Sequence, residues 1–246
     1  MRRSEYDRTA ESGAFDRRRL RGFDVLKTRF KKAGENLKTF AHHFSGDEKM
    51  AKNYLEIAFT ASVKAEQEKY GSRRQYERTE KIERGTELSF AEADFIATRD
   101  SFYLATIGEN DYPYVQFRGG APGFLKTLDS KTLGYADFRG NRQYISVGNL
   151  SVNNRAALII MDYQNRRRLK IYARIEVLEA AAAPELIAKL ENSEYQAKIE
   201  RAVILHVEAF DWNCPQHIKP RYTIEEIKQM NEPLYEHIEK LKAEIE

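Results

Sequence analysis

Short apolar runs in the middle of the chain constrain the fold more than any other feature. Between Phe95 and Glu179 these runs are rich in β-branched and aromatic residues, and each has the length of a strand. They are Phe102–Ile107, Tyr112–Arg118, Thr132–Phe138, Ala156–Tyr163 and Arg168–Leu178, and Ala202–Ala209 follows further on. Turn signals such as Gly108–Asp111 and Gly119–Gly123 separate them. Short strands with short connections predict an antiparallel barrel and not βαβ units.

Helices are predicted ahead of the strands. Residues Met50–Tyr76 are rich in helix formers, and Gly71 marks the end of one helix there. Further on, Ser89 and Glu92 form a capping box, which predicts a short helix over Phe90–Thr98. The buried side of this helix is predicted to contain Phe90, Ala93, Phe95 and Ile96.

Helices are also predicted after the strands. Pro184 suits the first turn of a helix that runs to about Ile199. The segment Phe210–His217 is irregular in pattern, and Thr223 then caps a last, amphipathic helix with Pro233 as a kink or break. The predicted class is therefore mainly β with flanking helices, an α+β protein built on an antiparallel barrel.

Composition and charge limit the classes of function. Of the 246 residues, 41% are hydrophobic, which is enough for a sizeable core. The net charge of +3 argues against a dedicated nucleic-acid-binding domain, which is usually strongly basic. Cys214 is the only cysteine, so neither an intrachain disulfide nor a multi-cysteine metal site is expected. Because no apolar run reaches the roughly 20 residues of a membrane span and the first residues lack a secretory pattern, we expect a cytoplasmic protein.

Three regions follow from the changes in composition. Residues 1–50 are polar and basic, and we interpret them as an N-terminal extension that is partly helical or poorly ordered. The alternative is a basic arm for nucleic acid or anionic lipid, for which a steep salt dependence of binding would be diagnostic. Residues 51–222 form the predicted barrel domain with its N-terminal helices, and residues 223–246 form the C-terminal helix.

Arginines are concentrated around the centre of the strand region, Tyr135–Tyr144. Arg139–Gln143 is a polar turn at the end of a predicted strand, and a predicted helix over Tyr144–Asn149 follows. Free N–H groups and the dipole at a helix start favour an anion, and guanidinium groups match phosphate oxygens. Gly119–Gly123 is not a Walker loop, because no Gly-Lys-Ser/Thr follows it. The sequence thus predicts a phosphate-bearing ligand.

Side chains for other kinds of catalysis are missing from the pattern. Cys214 and His217 are the only Cys/His pair close in sequence, and spacing across a proline does not establish a thiol with its base. There is no Gly-x-Ser-x-Gly elbow, no His-Glu-x-x-His motif, and the five histidines form no metal pattern. Chemistry carried by a cofactor, or binding without chemistry, is therefore favoured.

Several motifs in order resemble the pyridoxamine 5′-phosphate oxidase-related flavoproteins. They are Ala97–Thr106, Pro113–Leu125, Ala136–Ile145, Met161–Lys170 and Trp212–Ile218, and the resemblance runs from about Phe59 to Tyr222. It implies a split β-barrel that binds FMN, usually as a homodimer with the flavin at the subunit interface.

The resemblance also implies roles for residues of this chain. Those expected to hold the flavin phosphate are Arg118, Asn141 and Arg142, with Gln143 beside them. Those expected to position the isoalloxazine ring are Gln116, Ala136, Asp137 and Arg168. Trp212, Gln216 and His217 are expected to cover the ring or line the substrate pocket. The oxidase has an arginine where this chain has Gln116, and an Arg-Lys pair where it has Asn141-Arg142, so pyridoxamine phosphate is not implied as the substrate.

These observations predict an FMN-dependent oxidoreductase that acts on a small molecule, with an electron donor such as NADH or NADPH, as a homodimer. No metal, nucleic acid or membrane partner is expected. The alternative is a barrel that binds flavin or haem without turnover, with His206 or His217 as the axial haem ligand. A deazaflavin in place of FMN is a further alternative.

Overall fold

The computed structural model describes residues 53–192, 195 and 197–245. Its strands are β1 (Ser101–Ile107), β2 (Pro113–Gly119), β3 (Lys126–Thr127), β4 (Thr132–Phe138), β5 (Arg155–Asp162), β6 (Arg167–Glu179) and β7 (Ile199–Trp212). Its α-helices are α1 (Tyr54–Ala58), α2 (Ala61–Lys69), α3 (Arg73–Glu80), α4 (Phe90–Ala97), α5 (Ile145–Val152), α6 (Pro184–Leu190) and α7 (Ile224–Ile245). The basic extension predicted for residues 1–50 lies outside the described residues.

The strands form one antiparallel sheet in the order β2-β1-β5-β6-β7-β4-β3. Four strands separate β2 from β4 in this order, yet Arg118 at the end of β2 bonds to Asp137 at the end of β4 at 2.8 Å. The sheet must therefore curl until these two strand ends meet, while no strand pairing joins them. A curled antiparallel sheet with this open seam and flanking helices is a split β-barrel, which confirms the predicted fold class.

The barrel interior is filled by alternate side chains of the strands. Phe102 of β1 contacts Phe124 in a stacked arrangement and Tyr135 edge-on, at centroid distances of 5.6 and 5.5 Å. Burial raises the pKa of the Tyr135 phenol. The interior also contains fully buried aliphatic residues, namely Leu104, Leu133, Ile160, Leu169, Ile171 and Leu205. Side chains from β1, β4, β5, β6 and β7 thus make one core, which fixes where the strand ends lie.

Most predicted elements are confirmed, with end shifts of one or a few residues. Gly71 follows α2 with φ 73°, as expected for glycine after a helix. The predicted capping box is present. The Ser89 side chain accepts a hydrogen bond from backbone N–H in the first turn of the helix, and the Glu92 side chain accepts one from the backbone N–H of Ser89. None of the helices in the described ranges combines the length and the hydrophobicity that a membrane span requires.

Some predicted details are wrong. The helix that begins at Pro184 ends at Leu190, where the backbone of Glu191 is extended, and Ile199 is the first residue of β7, which pairs with β4 and β6. The start of Phe210–His217 is not irregular, and its first residues complete β7. Phe90 is 52% exposed and lies outside the core. Pro233 does not break the helix, since it lies inside a continuous α7, and the two-residue strand β3 was not predicted.

Candidate functional site

The end of β4 is the centre of the candidate site. Asp137 is buried, and one of its carboxylate oxygens accepts a hydrogen bond from Arg118 Nη1 at 2.8 Å. The other oxygen accepts from Arg201 Nη1 at 3.1 Å. Burial by itself would lower the pKa of Arg201, but the hydrogen bond to Asp137 and the charges of Asp137 and neighbouring glutamates raise it. Because a buried carboxylate without partners is costly, the two guanidinium groups stabilise this strand end.

The segment between β4 and α5 lies beside this ion pair. Arg139 Nε donates a hydrogen bond to Glu200 Oε1 at 3.0 Å, and the Tyr144 hydroxyl donates to the same oxygen at 3.4 Å. The guanidinium of Arg201 lies over the Tyr144 ring, 4.7 Å from its centroid. Arg142 and Tyr144 have φ values of 64° and 53°. Left-handed backbone is uncommon at non-glycine residues, and this chain also has it at Asp111, Arg166 and His217.

The loop side chains are accessible to a ligand. Asn141, Arg142 and Gln143 are all exposed. The Asn141 side-chain oxygen accepts a hydrogen bond from the backbone N–H of Gln143 at 3.2 Å, which makes an Asx-turn. This turn orders the backbone on both sides of Arg142, and it leaves the guanidinium free to meet an anion.

The start of α5 supplies the backbone part of the site. Tyr144, its N-cap residue, makes no side-chain capping bond, so the first N–H groups of the helix remain available. Ser146 is buried and donates from Oγ to Gln116 Oε1 at 2.7 Å. Asn149 Nδ2 donates to Thr106 Oγ1 at 3.0 Å. These two bonds tie α5 to β2 and β1, and they hold its positive end near the strand ends that carry Arg118 and Asp137.

The structure therefore brings together one part of the predicted set: Gln116, Arg118, Asp137 and the loop Asn141–Gln143. Ala136 is buried in an apolar cluster with Leu190, Ala202 and Ile204, so only its backbone can face a ligand. Arg201, Glu200 and Ser146 were missed as functional residues. Arg201 and Glu200 precede the strand predicted to begin at Ala202, and no local pattern marked them as neighbours of Asp137.

The other predicted residues lie around Trp212. The Trp212 indole N–H donates to Glu92 Oε1 at 2.7 Å, and its ring meets Phe95 edge-on at 4.7 Å. Arg167 lies over the Trp212 ring at 4.7 Å from its centroid. Arg168 is half-buried, and its Nε is buried without a hydrogen-bond partner. Trp212 is thus anchored to the core beneath α4, while Arg168 retains donor capacity for a ligand.

The turn after Trp212 is open to solvent. Gln216 and His217 are exposed, and His217 has φ 66°. Cys214 in the same turn is also exposed and is not in a disulfide. Among the described residues, no group of three or more histidine, cysteine or acidic side chains could hold a metal ion.

A cleft of about 550 Å³ opens between the β1–β2 turn and α5. It is lined by Gly108, Glu109, Asn110, Tyr112, Pro113, Tyr114, Ile145 and Asn149. This lining contains an acidic residue and no lysine or arginine, so it is unsuited to a phosphate. None of the predicted cofactor residues lies in it, and we do not assign this cleft as the cofactor site.

The fold defines a class, the split-barrel proteins, and in this chain arginine side chains lie at the strand ends and beside the start of α5. The model of the pyridoxamine 5′-phosphate oxidase family matches residues 90–213 of this chain. That span is just over half of the chain, and it covers α4 and all seven strands. The chain belongs to this family.

Solved structures are similar to the chain at low sequence identity. A proposed pyridoxamine 5′-phosphate oxidase of Lactobacillus delbrueckii is 21% identical, with a TM-score of 0.40, and the match covers 51% of this chain and 94% of that one. An FMN-binding protein of Syntrophomonas wolfei is 16% identical, with a TM-score of 0.39 and coverage of 62% and 95%. The haem storage protein HutZ of Vibrio cholerae is 13% identical, with a TM-score of 0.33 and coverage of 48% and 89%. Comparison with curated proteins gave no match.

Proposed function

We propose that this protein is an FMN-dependent oxidoreductase that acts as a homodimer, with a small-molecule substrate and NADH or NADPH as the electron donor. The observation that carries the proposal is the anion site at the ends of β2 and β4. There an uncapped helix start, an exposed arginine and a left-handed loop lie beside two further arginines. Membership of the family supplies the expectation that the anion is the phosphate of a flavin.

The residues present fit a flavin phosphate. Arg142 provides an accessible guanidinium, and the first N–H groups of α5 provide backbone donors at the positive end of the helix. Arg118 pairs with Asp137 through Nη1, and its Nε is buried without a hydrogen-bond partner. We therefore assign Arg142 as the principal phosphate ligand. Asn141 and Gln143 order the loop backbone on both sides of it, and Arg118 holds the neighbouring strand end through Asp137.

The ring of the cofactor would lie along the same strand ends. Gln116 is held by Ser146, which orients its amide, and the backbone at Ala136 and Asp137 borders the seam. The unpartnered Nε of Arg168 would donate to a carbonyl or ring nitrogen of the flavin. When bound, FMN supplies the redox chemistry, and the chain's residues bind it and orient it. Trp212, Gln216 and His217 would border the substrate.

The homodimer is supported by an apolar outer face on β1 and β2. Tyr103, Ile107, Val115 and Phe117 alternate with buried or polar residues and are 37%, 38%, 61% and 59% exposed. The Tyr103 and Phe117 rings contact each other edge-on at 5.7 Å. Exposed aromatic and β-branched side chains on one sheet face are typical of an interface between subunits. A second copy placed against this face would cover it.

FMN titration of the purified protein tests the phosphate assignment. Arg142→Ala should raise the Kd for FMN at least tenfold, because a charge-assisted hydrogen bond is worth about 1.5–3 kcal/mol. Arg142→Asn should behave in the same way while suiting the left-handed backbone, which separates loss of charge from strain. Arg74→Ala, an exposed arginine on α3, is the matched control and should leave the Kd unchanged. Equal Kd values for wild type and both Arg142 variants would refute the assignment.

The alternative of haem binding makes a different prediction for the histidines. His206 Nε2 lies 3.6 Å from Glu176 Oε2 in β6, whereas His217 is exposed in the turn after β7. His217 is thus the accessible axial candidate. If the protein takes up haem, His217→Ala should abolish the Soret band, while loss of flavin in the same variant would place His217 near FMN instead.

A further inference from the structure

The C-terminal helix α7 carries an apolar stripe that the described part of this chain leaves uncovered. Ile224, Ile227, Leu234, Ile238 and Leu241 are between 37% and 68% exposed. A helix of 22 residues would normally bury such a stripe against a neighbour, because apolar surface in water is unfavourable. The question is which surface covers it.

The spacing of the stripe is a heptad repeat, with apolar residues at its first and fourth positions, called a and d. The a positions hold Ile224, Asn231, Ile238 and Ile245, and the d positions hold Ile227, Leu234 and Leu241. Over three heptads, Asn231 is the one polar residue at these positions. Isoleucine at a with leucine at d favours two strands, so a second helix of the same kind is the surface that fits.

Asn231 decides the direction of that second helix. In a parallel pair each a residue faces its own copy, so two Asn231 amides hydrogen-bond to each other across the interface. In a full-length antiparallel pair a residues face d residues, and Asn231 would lie against Leu234. A buried amide against leucine is left without a partner and costs free energy. The asparagine therefore disfavours the antiparallel arrangement.

We propose that α7 forms a parallel, two-stranded coiled coil with the α7 helix of a second copy of this chain. The residues that flank the stripe agree with this arrangement. Met230 occupies a g position and Tyr235 the e position that faces it in a parallel pair, and both are more than half exposed. A methionine beside an aromatic ring is a favourable contact. Pro233 lies at position c on the outer face, where the carbonyl it leaves unpaired can bond to water.

The size of the stripe shows why the coil needs the rest of the protein. A 22-residue helix is about 33 Å long and about 10 Å wide, so two such stripes bury on the order of 700 Å². A stable interface on its own buries about 1,200 Å² or more. The coil therefore adds to a dimer held at another surface, where the two helices have a high effective concentration. In this respect the inference rests on the proposed homodimer.

Single-cysteine crosslinking in the full chain tests the proposal. In a Cys214→Ser background, Leu241→Cys places a thiol at a d position facing its own copy, within disulfide reach. Lys240→Cys, at the outward c position of the same turn, is the matched control. Under a mild thiol–disulfide buffer, Leu241→Cys should form a covalent dimer at least tenfold faster than Lys240→Cys. An antiparallel pair would separate the two Leu241→Cys thiols by about 25 Å and give no such dimer.

Equal rates for the two variants, or no crosslink at position 241, would overturn the coiled coil. FMN uptake is measured on the same samples, because neither substitution lies near the anion site. Crosslinking without FMN uptake would leave the coil standing and remove the proposed function. FMN uptake without crosslinking would do the opposite.

Discussion

Asp137 and Glu92 are two buried carboxylates that the fold satisfies in different ways. Their residues are 4% and 7% exposed. Asp137 accepts hydrogen bonds from two arginines, which bear full charges. Glu92 accepts from the Ser89 backbone and hydroxyl at 2.9 and 2.5 Å and from the Trp212 indole, all of them neutral donors. One carboxylate closes a seam between distant strands, and the other caps a helix.

The partners of the two carboxylates decide which of the two regions can accept a charged ligand. Around Glu92 every hydrogen-bond donor is neutral and already used, so this carboxylate itself serves the packing of α4 and Trp212. Around Asp137 the donors are charged, and Arg201 is shared with two further carboxylates, those of Glu200 and Glu179. The exposed Arg142 and a helix start lie nearby, and an accessible guanidinium beside a helix start suits an anionic ligand.

The largest effect is expected from Asp137→Asn. It removes the negative charge between Arg118 and Arg201, so Arg118 faces an amide in place of its carboxylate, while Arg201 keeps its contacts with Glu200 and Glu179. We expect the free energy of unfolding to fall by about 3–5 kcal/mol, as when one partner of a buried pair is lost. Urea unfolding at fixed protein concentration measures it. Glu77→Gln, in the exposed pair with Lys81, is the control and should cost below about 0.5 kcal/mol. Similar losses in both variants would show that the buried Asp137 pairs contribute no more stability than the exposed Glu77–Lys81 pair.

A smaller loss is expected from Glu92→Gln. The glutamine keeps one acceptor oxygen of the same size and leaves one of the donors of Ser89 or Trp212 without its partner. We expect the free energy of unfolding to fall by about 1–2 kcal/mol, measured in the same urea experiment. A loss as large as that of Asp137→Asn would contradict the distinction between charged and neutral partners.

The smallest effect is a pH dependence at Glu92. Burial alone would raise the pKa of this carboxyl, but the hydrogen bonds from Ser89 and Trp212 lower it below the ordinary 4.5. A lowered folded-state pKa adds stability above the unfolded pKa, and that stability is lost as the pH falls through the folded value. The difference in urea midpoint between wild type and Glu92→Gln should be constant from pH 7 to about 5 and shrink below it. A difference in urea midpoint that grows as the pH falls would contradict a lowered pKa of Glu92 in the folded protein.

These two regions also show how much of the protein can be predicted from sequence. The capping box at Ser89 and Glu92 is local, so its three-residue spacing was enough to predict α4. The strands were predicted because alternation and turn residues are local too. Trp212, 120 residues beyond Glu92, could not be connected to it by any spacing. Long-range packing decides that contact.

The candidate site was predicted only in part, for the same reason. Arg118, Asn141 and Arg142 were expected from the resemblance, and the loop with its helix start was expected from local pattern. Arg201 was not, because it lies 64 residues from Asp137 and falls between the predicted helix end at about Ile199 and the predicted strand start at Ala202. Strand pairing of β7 with β4 brings the two together, and pairing partners are not readable from a single chain.

The most direct measurement is the visible absorption spectrum of the purified protein, with the released chromophore identified by mass. We predict the two-band spectrum of an oxidised flavin, a released mass equal to FMN, and bleaching on addition of NADH or NADPH. A Soret band would show that the protein binds haem and not FMN. A released mass equal to that of a deazaflavin would show that a deazaflavin takes the place of FMN. A colourless protein that also fails to take up added FMN would contradict the proposal that the arginine-rich seam holds a flavin.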